Sequence, residues 1–146
     1  MKPQQIWRTV LAAVGFAISA YLTAVHYDAH VPLACSSNSI IDCARVITSP
    51  QSVVFGLPLA VWGMLWFALL GVVVQFRARG AGWGGAADSA WAGVGALSVI
   101  YFVYLELFVV GRICIWCTAV HVLVLINLFV ALSPGPAQVP PARRRG

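Results

Sequence analysis

Charge is what this sequence has least of. Among its 146 residues there are 4 acidic and 9 Lys or Arg side chains, 9% charged in all, against 61% hydrophobic residues and a mean hydropathy of +0.89. So few ionisable groups cannot coat a water-soluble surface, which excludes an ordinary soluble globular domain and makes lipid the main solvent of the chain. The excess of cations, a net charge of +5, follows the ends of the apolar runs, and that sidedness accounts for it without a nucleic-acid signal. No internal repeat is apparent.

What is there in abundance is long apolar runs. Four stand out, over about residues 9–27, 53–76, 89–111 (interrupted by Glu106) and 113–132. At about 1.5 Å per helical residue, each can cross a hydrocarbon core of about 30 Å. The expected fold is an all-α membrane protein, a four-transmembrane-helix bundle, because lipid demands that backbone groups be satisfied internally. Loop lengths favour a single domain over residues 1–132. The first run is longer than the apolar core of a signal peptide and has no clear small-residue cleavage site after it, so it is expected to stay in place. Residues 133–146, rich in Pro and Arg, are expected to form a disordered tail.

Lys2 and Arg8 precede the first run, Arg77 and Arg79 follow the second, and Arg143, Arg144 and Arg145 lie in the tail. The positive-inside rule therefore makes the N- and C-termini cytoplasmic and puts the loop 28–52 and the turn at Arg112 outside. Arg77 to Asp88, with Gly80, Gly82, Gly84 and Gly85, reads as a flexible link, whereas Gly111-Arg112 is short enough to make the third and fourth helices antiparallel neighbours. Gly15, Ser19 and Thr23, and Gly93 with Ala96, are small residues suited to close helix approach. Within the outer loop, Ser39, Ile40, Ile41, Ala44, Val46 and Ile47 alternate with Asp42 and Arg45 in a pattern compatible with a short amphipathic helix resting on the bundle.

All four cysteines fall on that outer side: Cys35 and Cys43 in the loop, Cys114 and Cys117 as "CIWC" at the start of the fourth helix. At i and i+3 the last two lie within reach of each other, and the helix N-terminus favours a thiolate at either. Spacing alone leaves open a redox pair, a structural disulfide or half of a zinc site. A bridge inside one turn closes almost no loop and stabilises little, which turns the reading towards redox chemistry. The loop pair adds to this, since disulfides persist in an oxidising compartment; its seven intervening residues are wide for a zinc pair.

"SAYLTAVHYDAHVPLACSSNSIIDCARVITSPQSVVFGLPLAVWG" (19–63) with "YFVYLELFVVGRICIWC" (101–117) resembles the vitamin K epoxide reductase family, four-helix membrane thiol oxidoreductases that reduce quinones. The matching motifs are the loop pair, Ser49 six residues after Cys43, Phe55 to Leu57 entering helix two, and the CxxC opening helix four. The resemblance implies that Cys117 meets the quinone and Cys114 is its disulfide partner. Cys35 and Cys43 would form the shuttle pair, one exchanging with Cys114 and the other with an external partner; contact with the partner through Cys43 is the order preferred. Ser49 and Phe55 would help to bind the quinone. As a bare sequence, Ser49-Pro50 is also a common turn start. His121 replaces the tyrosine of animal members, and Ile115 replaces a proline frequent in bacterial ones.

His121 lies four residues after Cys117 and seven after Cys114, hence on the same helical face. It is a candidate quinone-binding residue that donates a hydrogen bond or proton to the ring, with a simple interhelical polar contact as the alternative. Glu106 is expected to pair with Arg112 or Arg45, or to snorkel. Asp28, beside His26, is expected to be solvated; Trp62, Trp66 and Phe67 face either a cavity or lipid.

The expected function is a quinone-dependent thiol oxidoreductase of a bacterial cytoplasmic (inner) membrane that supports disulfide-bond formation. It would draw electrons from a separate thioredoxin-like or DsbA-like protein and pass them to menaquinone, ubiquinone or vitamin K, with no metal and no nucleic acid. Alternatives are a vitamin K epoxide reductase of the eukaryotic type, the convergent bacterial disulfide-bond-forming protein B, whose CxxC lies in the first outer segment, and a non-catalytic scaffold with a structural disulfide or zinc.

Overall fold

The computed structural model describes residues 3–35, 37–80 and 83–133; Lys2, Gly82, the Arg143–Arg145 cluster and the tail from residue 134 lie outside the described residues. Among the described residues, four helices are long and apolar enough to cross a membrane. They are α1 (Pro3–Tyr27), α3 (Leu59–Ala78), α4 (Gly84–Tyr104), which runs on as a π-helical turn (Leu105–Val110), and α5 (Ile115–Leu132). Between α1 and α3 the chain forms the one-turn helix α2 (Cys43–Ile47), a 3-10 turn (Pro50–Ser52) and a two-stranded hairpin, β1 (Val53–Val54) with β2 (Leu57–Pro58). The architecture is an all-α, multi-pass membrane bundle with an irregular segment at one end.

Small residues let the helices approach. The inward stripe of α1 is Arg8, Ala12, Gly15, Ser19 and Leu22, spaced three or four residues apart as one helical face requires. The Phe67 ring of α3 fills the space where Gly15 has no side chain, and a methyl group on Gly63 would meet the Ser19 hydroxyl at 2.8 Å. On α4 the close approach is made by Gly95, not by the expected Gly93. A Cβ on Gly95 would meet Trp66 at 2.5 Å and Val124 at 2.8 Å, whereas Gly93 faces open space. Two residues of a helix turn by about 200°, so the neighbouring glycine looks the other way.

Two expectations from hydropathy need correction. The second helix does not begin at Val53: Phe55 and Gly56 both adopt left-handed backbone angles, φ 53° and 78°, and turn Val53–Val54 back onto Leu57–Pro58. This is the two-residue hairpin turn with positive φ at both positions, and α3 starts only after Pro58, whose fixed φ suits a helix entry. The flexible link to Asp88 is likewise shorter, because α4 begins at Gly84 and Asp88 lies inside it.

Asp88 is fully buried and pairs with both Arg8 of α1 and Arg77 of α3. Arg8 Nη1 donates to its Oδ2 at 2.6 Å, while Arg8 Nε and Nη2 donate to Asn127 Oδ1 of α5 at 3.0 and 2.7 Å. Asp88 and Arg8 together thus tie a residue from each long helix to one point. A buried charge survives only when paired in this way.

Candidate active site at the cysteine-bearing end

The opposite end of the bundle carries all four cysteines. Asn38 Oδ1 accepts from the backbone N–H groups of Ile40 and Ile41 at 2.8 and 2.7 Å, an Asx turn that aims the next residues at the start of α5. There Ile41 and Ile113 form an isolated parallel bridge, with Asp42 N–H donating to Ile113 O at 3.1 Å and Ile113 N–H to Ile40 O at 3.0 Å. Asp42 then caps α2 by accepting from Arg45 N–H at 3.0 Å. The two cysteines that follow the bridge, Cys43 and Cys114, are 1% and 0% exposed and share one apolar cluster with Leu22, Val46 and Ile47.

Both cysteine pairs are closed as disulfides, Cys35–Cys43 with Cα atoms 6.2 Å apart and Cys114–Cys117 with Cα atoms 5.2 Å apart. Helix α5 begins at Ile115, so Cys114 is its N-cap and not, as expected from a run beginning at residue 113, a residue of its first turn. Its Sγ accepts from Cys117 N–H at 3.1 Å, in the place a serine or aspartate oxygen usually takes. Trp116, between the two, donates from Nε1 to Ala34 O at 2.9 Å and meets the Tyr21 ring edge-on. Tyr21 in turn donates to Pro32 O and accepts from Ala34 N–H. The segment leading to Cys35 is thereby clamped to α1 and α5, a role of Trp116 that no short-range sequence pattern announces.

Beneath the cysteines lies a cavity of about 440 Å³, bordered by Cys117, Ser49, His26, Glu106 and His121 and otherwise mostly apolar. Cys117 is the one described cysteine on its wall. Trp66 and Phe67 also line it, which resolves their sequence ambiguity in favour of the cavity, while Trp62 borders both the cavity and the outer surface. Because Trp62, Leu65, Leu69 and Val94 both border the cavity and are exposed, it reaches the lipid-facing surface between α3 and α4.

The other expected site residues divide. Ser49 borders the cavity, but its hydroxyl donates to Val46 O at 2.9 Å, which leaves an acceptor face. His121 borders it too, stacked on Phe102 with ring centroids 6.3 Å apart. Phe55 does not: it is 92% exposed at the hairpin tip, edge-on to Trp62, because its turn conformation projects it away from the bundle. Glu106 forms no ion pair with Arg112 or Arg45; the Arg112 guanidinium donates instead to Gly111 O. The Glu106 carboxyl is buried at the cavity wall, facing the backbone N–H of Cys114. Asp28 is solvent-exposed as expected, and hydrogen bonds from the His30 backbone and ring hold its carboxyl below the usual carboxylate range. Among the described residues no three His, Cys, Asp or Glu side chains gather as a metal-ligand set.

Four membrane-crossing helices, with two adjoining cysteine pairs above a cavity open to lipid, define a membrane thiol–disulfide protein. Residues 6–132 match the sequence model of the Vitamin K epoxide reductase family, and the chain belongs to that family. Membership makes it a membrane oxidoreductase of the thiol and quinone type. No curated protein matches the chain.

Proposed function

We propose that the chain is a quinone-dependent thiol oxidase of a bacterial inner membrane, with its cysteines on the extracytoplasmic side and both termini in the cytoplasm. Residues 1–132 act as one catalytic domain and 133–146 as a tail. A separate thioredoxin-like or DsbA-like protein delivers its electrons. Arg77 and Arg79 at the end remote from the cysteines support this sidedness.

The partner thiolate attacks Cys35 Sγ, displacing Cys43, and the partner's second thiol releases itself as a disulfide. Cys43 then attacks Cys114, freeing Cys117 as the leaving thiolate, and Cys35 resolves the mixed bond. Cys117 passes the electron pair to a quinone in the cavity as Cys114 closes back onto it, so two thiols become one disulfide and the quinone becomes a quinol. Ser49 and His121 bind the ring, and menaquinone or ubiquinone is the acceptor.

The observation that carries this reading is the graded placement of the cysteines: Cys35 half-buried, Cys43 and Cys114 buried in one apolar cluster, Cys117 on the cavity. It favours Cys35 for the partner and Cys43 for inward transfer, the reverse of the order preferred from sequence. The test mixes purified protein with a reduced thioredoxin-like partner and each quinone and follows quinone absorbance. Cys117→Ser is expected to abolish turnover, and Cys35→Ser to trap a Cys43–Cys114 mixed disulfide. Undiminished turnover of Cys117→Ser would refute the mechanism.

A further inference from the structure

Reducing a quinone needs protons as well as electrons, inside a largely apolar cavity. Glu106 is the single glutamate of the chain and is only 7% exposed. The other acids of the described residues lie elsewhere: Asp28 is exposed, Asp42 caps α2 and Asp88 is bound to two arginines at the far end. A carboxyl kept within the membrane without a cation is costly, and such groups mark proton or ion paths. Its backbone is also unusual. Glu106 sits in the π-helical turn, where its carbonyl accepts from the N–H groups of both Gly111 and Arg112, and such turns often accompany functional positions. The side chain borders the same cavity as Cys117 and His121 while facing the backbone N–H of Cys114.

We propose that Glu106 is the proton carrier of the quinone-reducing step, moving the thiol proton of Cys114 to a quinone oxygen. The inference rests on the quinone-oxidase reading given above. In the reduced pair Cys117 is the thiolate and Cys114 the thiol. The Cys114 S–H bond breaks and its proton passes to the Glu106 carboxylate as the Cys114–Cys117 bond forms. Two electrons enter the ring, Glu106 gives its proton to one ring oxygen, and the second proton, equal to that lost when Cys117 ionised, returns from water. The other titratable groups on this cavity are His26 from α1 and Cys117 and His121 from α5; Arg45 and Arg112 occupy the adjoining turns.

Glu106→Gln keeps the size and the acceptor oxygen that faces Cys114 but cannot carry a proton; Glu106→Asp keeps the acid. Pre-reduced protein is mixed with excess quinone in a single turnover, and disulfide exchange with the reduced partner is timed separately. Glu106→Gln is expected to slow the quinone step by about 100-fold, in the range of lost acid–base catalysis, with a changed solvent deuterium isotope effect. Partner exchange should stay within twofold, and Glu106→Asp should recover part of the quinone rate. A quinone step within twofold of wild type in Glu106→Gln overturns the proposal, as does an equal fall in both steps with no rescue by Asp. A wild-type protein that exchanges with the partner yet reduces no quinone overturns instead the reading beneath it.

Discussion

Replacing Asp88 with Ala strands two guanidiniums inside the bundle. Arg8 is the more exposed to this loss in energetic terms, because its side chain is only 4% accessible and can reach no water, whereas Arg77 is 35% accessible and can turn outward. Removing one partner of a buried pair costs about 3–5 kcal/mol, and the Arg77 contact adds little once solvent screening is allowed for. At about 1.4 kcal/mol per decade this is roughly a 10²- to 4 × 10³-fold loss in the folding equilibrium. Denaturant unfolding in mild detergent, followed by tryptophan fluorescence, measures it. The double change Arg8→Leu with Asp88→Leu should recover most of the loss, since a buried pair replaced by apolar side chains of similar size is often neutral. Activity per folded molecule should be unaffected in both, because the cysteines lie at the other end. Asp88→Ala within about 1 kcal/mol of wild type would refute the network as the tie between the four helices.

Gly15→Ala forces a methyl group into the Phe67 ring and should cost about 1–3 kcal/mol in the same unfolding assay, the usual cost of overpacking. Trp116→Phe removes the donor to Ala34 O and should cost about 1 kcal/mol, with faster amide hydrogen exchange across residues 33–35 as the local readout. Asp28 has its pKa lowered in the folded chain by the two His30 hydrogen bonds, so its contribution to stability is complete well above the ordinary value of 3.8 and fades as pH falls through the lower folded value. Asp28→Asn should therefore lower stability by a constant amount above about pH 5, where both states of the wild-type carboxyl are ionised, and flatten the acid limb below it.

The membrane spans are legible in the sequence because a bilayer asks one simple thing of a helix, about twenty apolar residues, and hydropathy measures that directly. It is blind to backbone angle. Val53 to Pro58 is as apolar as the helix that follows, and only the positive φ at Phe55 and Gly56 separates hairpin from helix; the family motif that put Phe55 at the quinone carries no backbone angle either, and the ring stands in the open. Hydropathy is equally blind to pairing at long range. Arg8 and Asp88 are 80 residues apart, and each alone reads as a residue at the edge of a span. Glu106 errs the other way, since the cation nearest in sequence, Arg112, is tied to Gly111 O while the π-helical turn directs the acid to the cavity.

The cysteines show where reading by spacing stops. Two pairs at one end are evident from residue type and from the runs that flank them, but the order in which they meet depends on the bridge between Ile41 and Ile113, a contact spanning about half the chain. That bridge makes the two pairs unequal. Cys114, as N-cap, has its sulfur turned to the Cys117 backbone N–H, while Cys117, one turn into the positive end of α5, borders the cavity. An attack by Cys43 on Cys114 thus expels a thiolate that the helix N-terminus already stabilises and that stands where an acceptor from the lipid would arrive. In the proposed mechanism direction comes from this asymmetry: a sulfur reached from the loop side is joined to one reached from the membrane side, and opening their bond sends the charge inward.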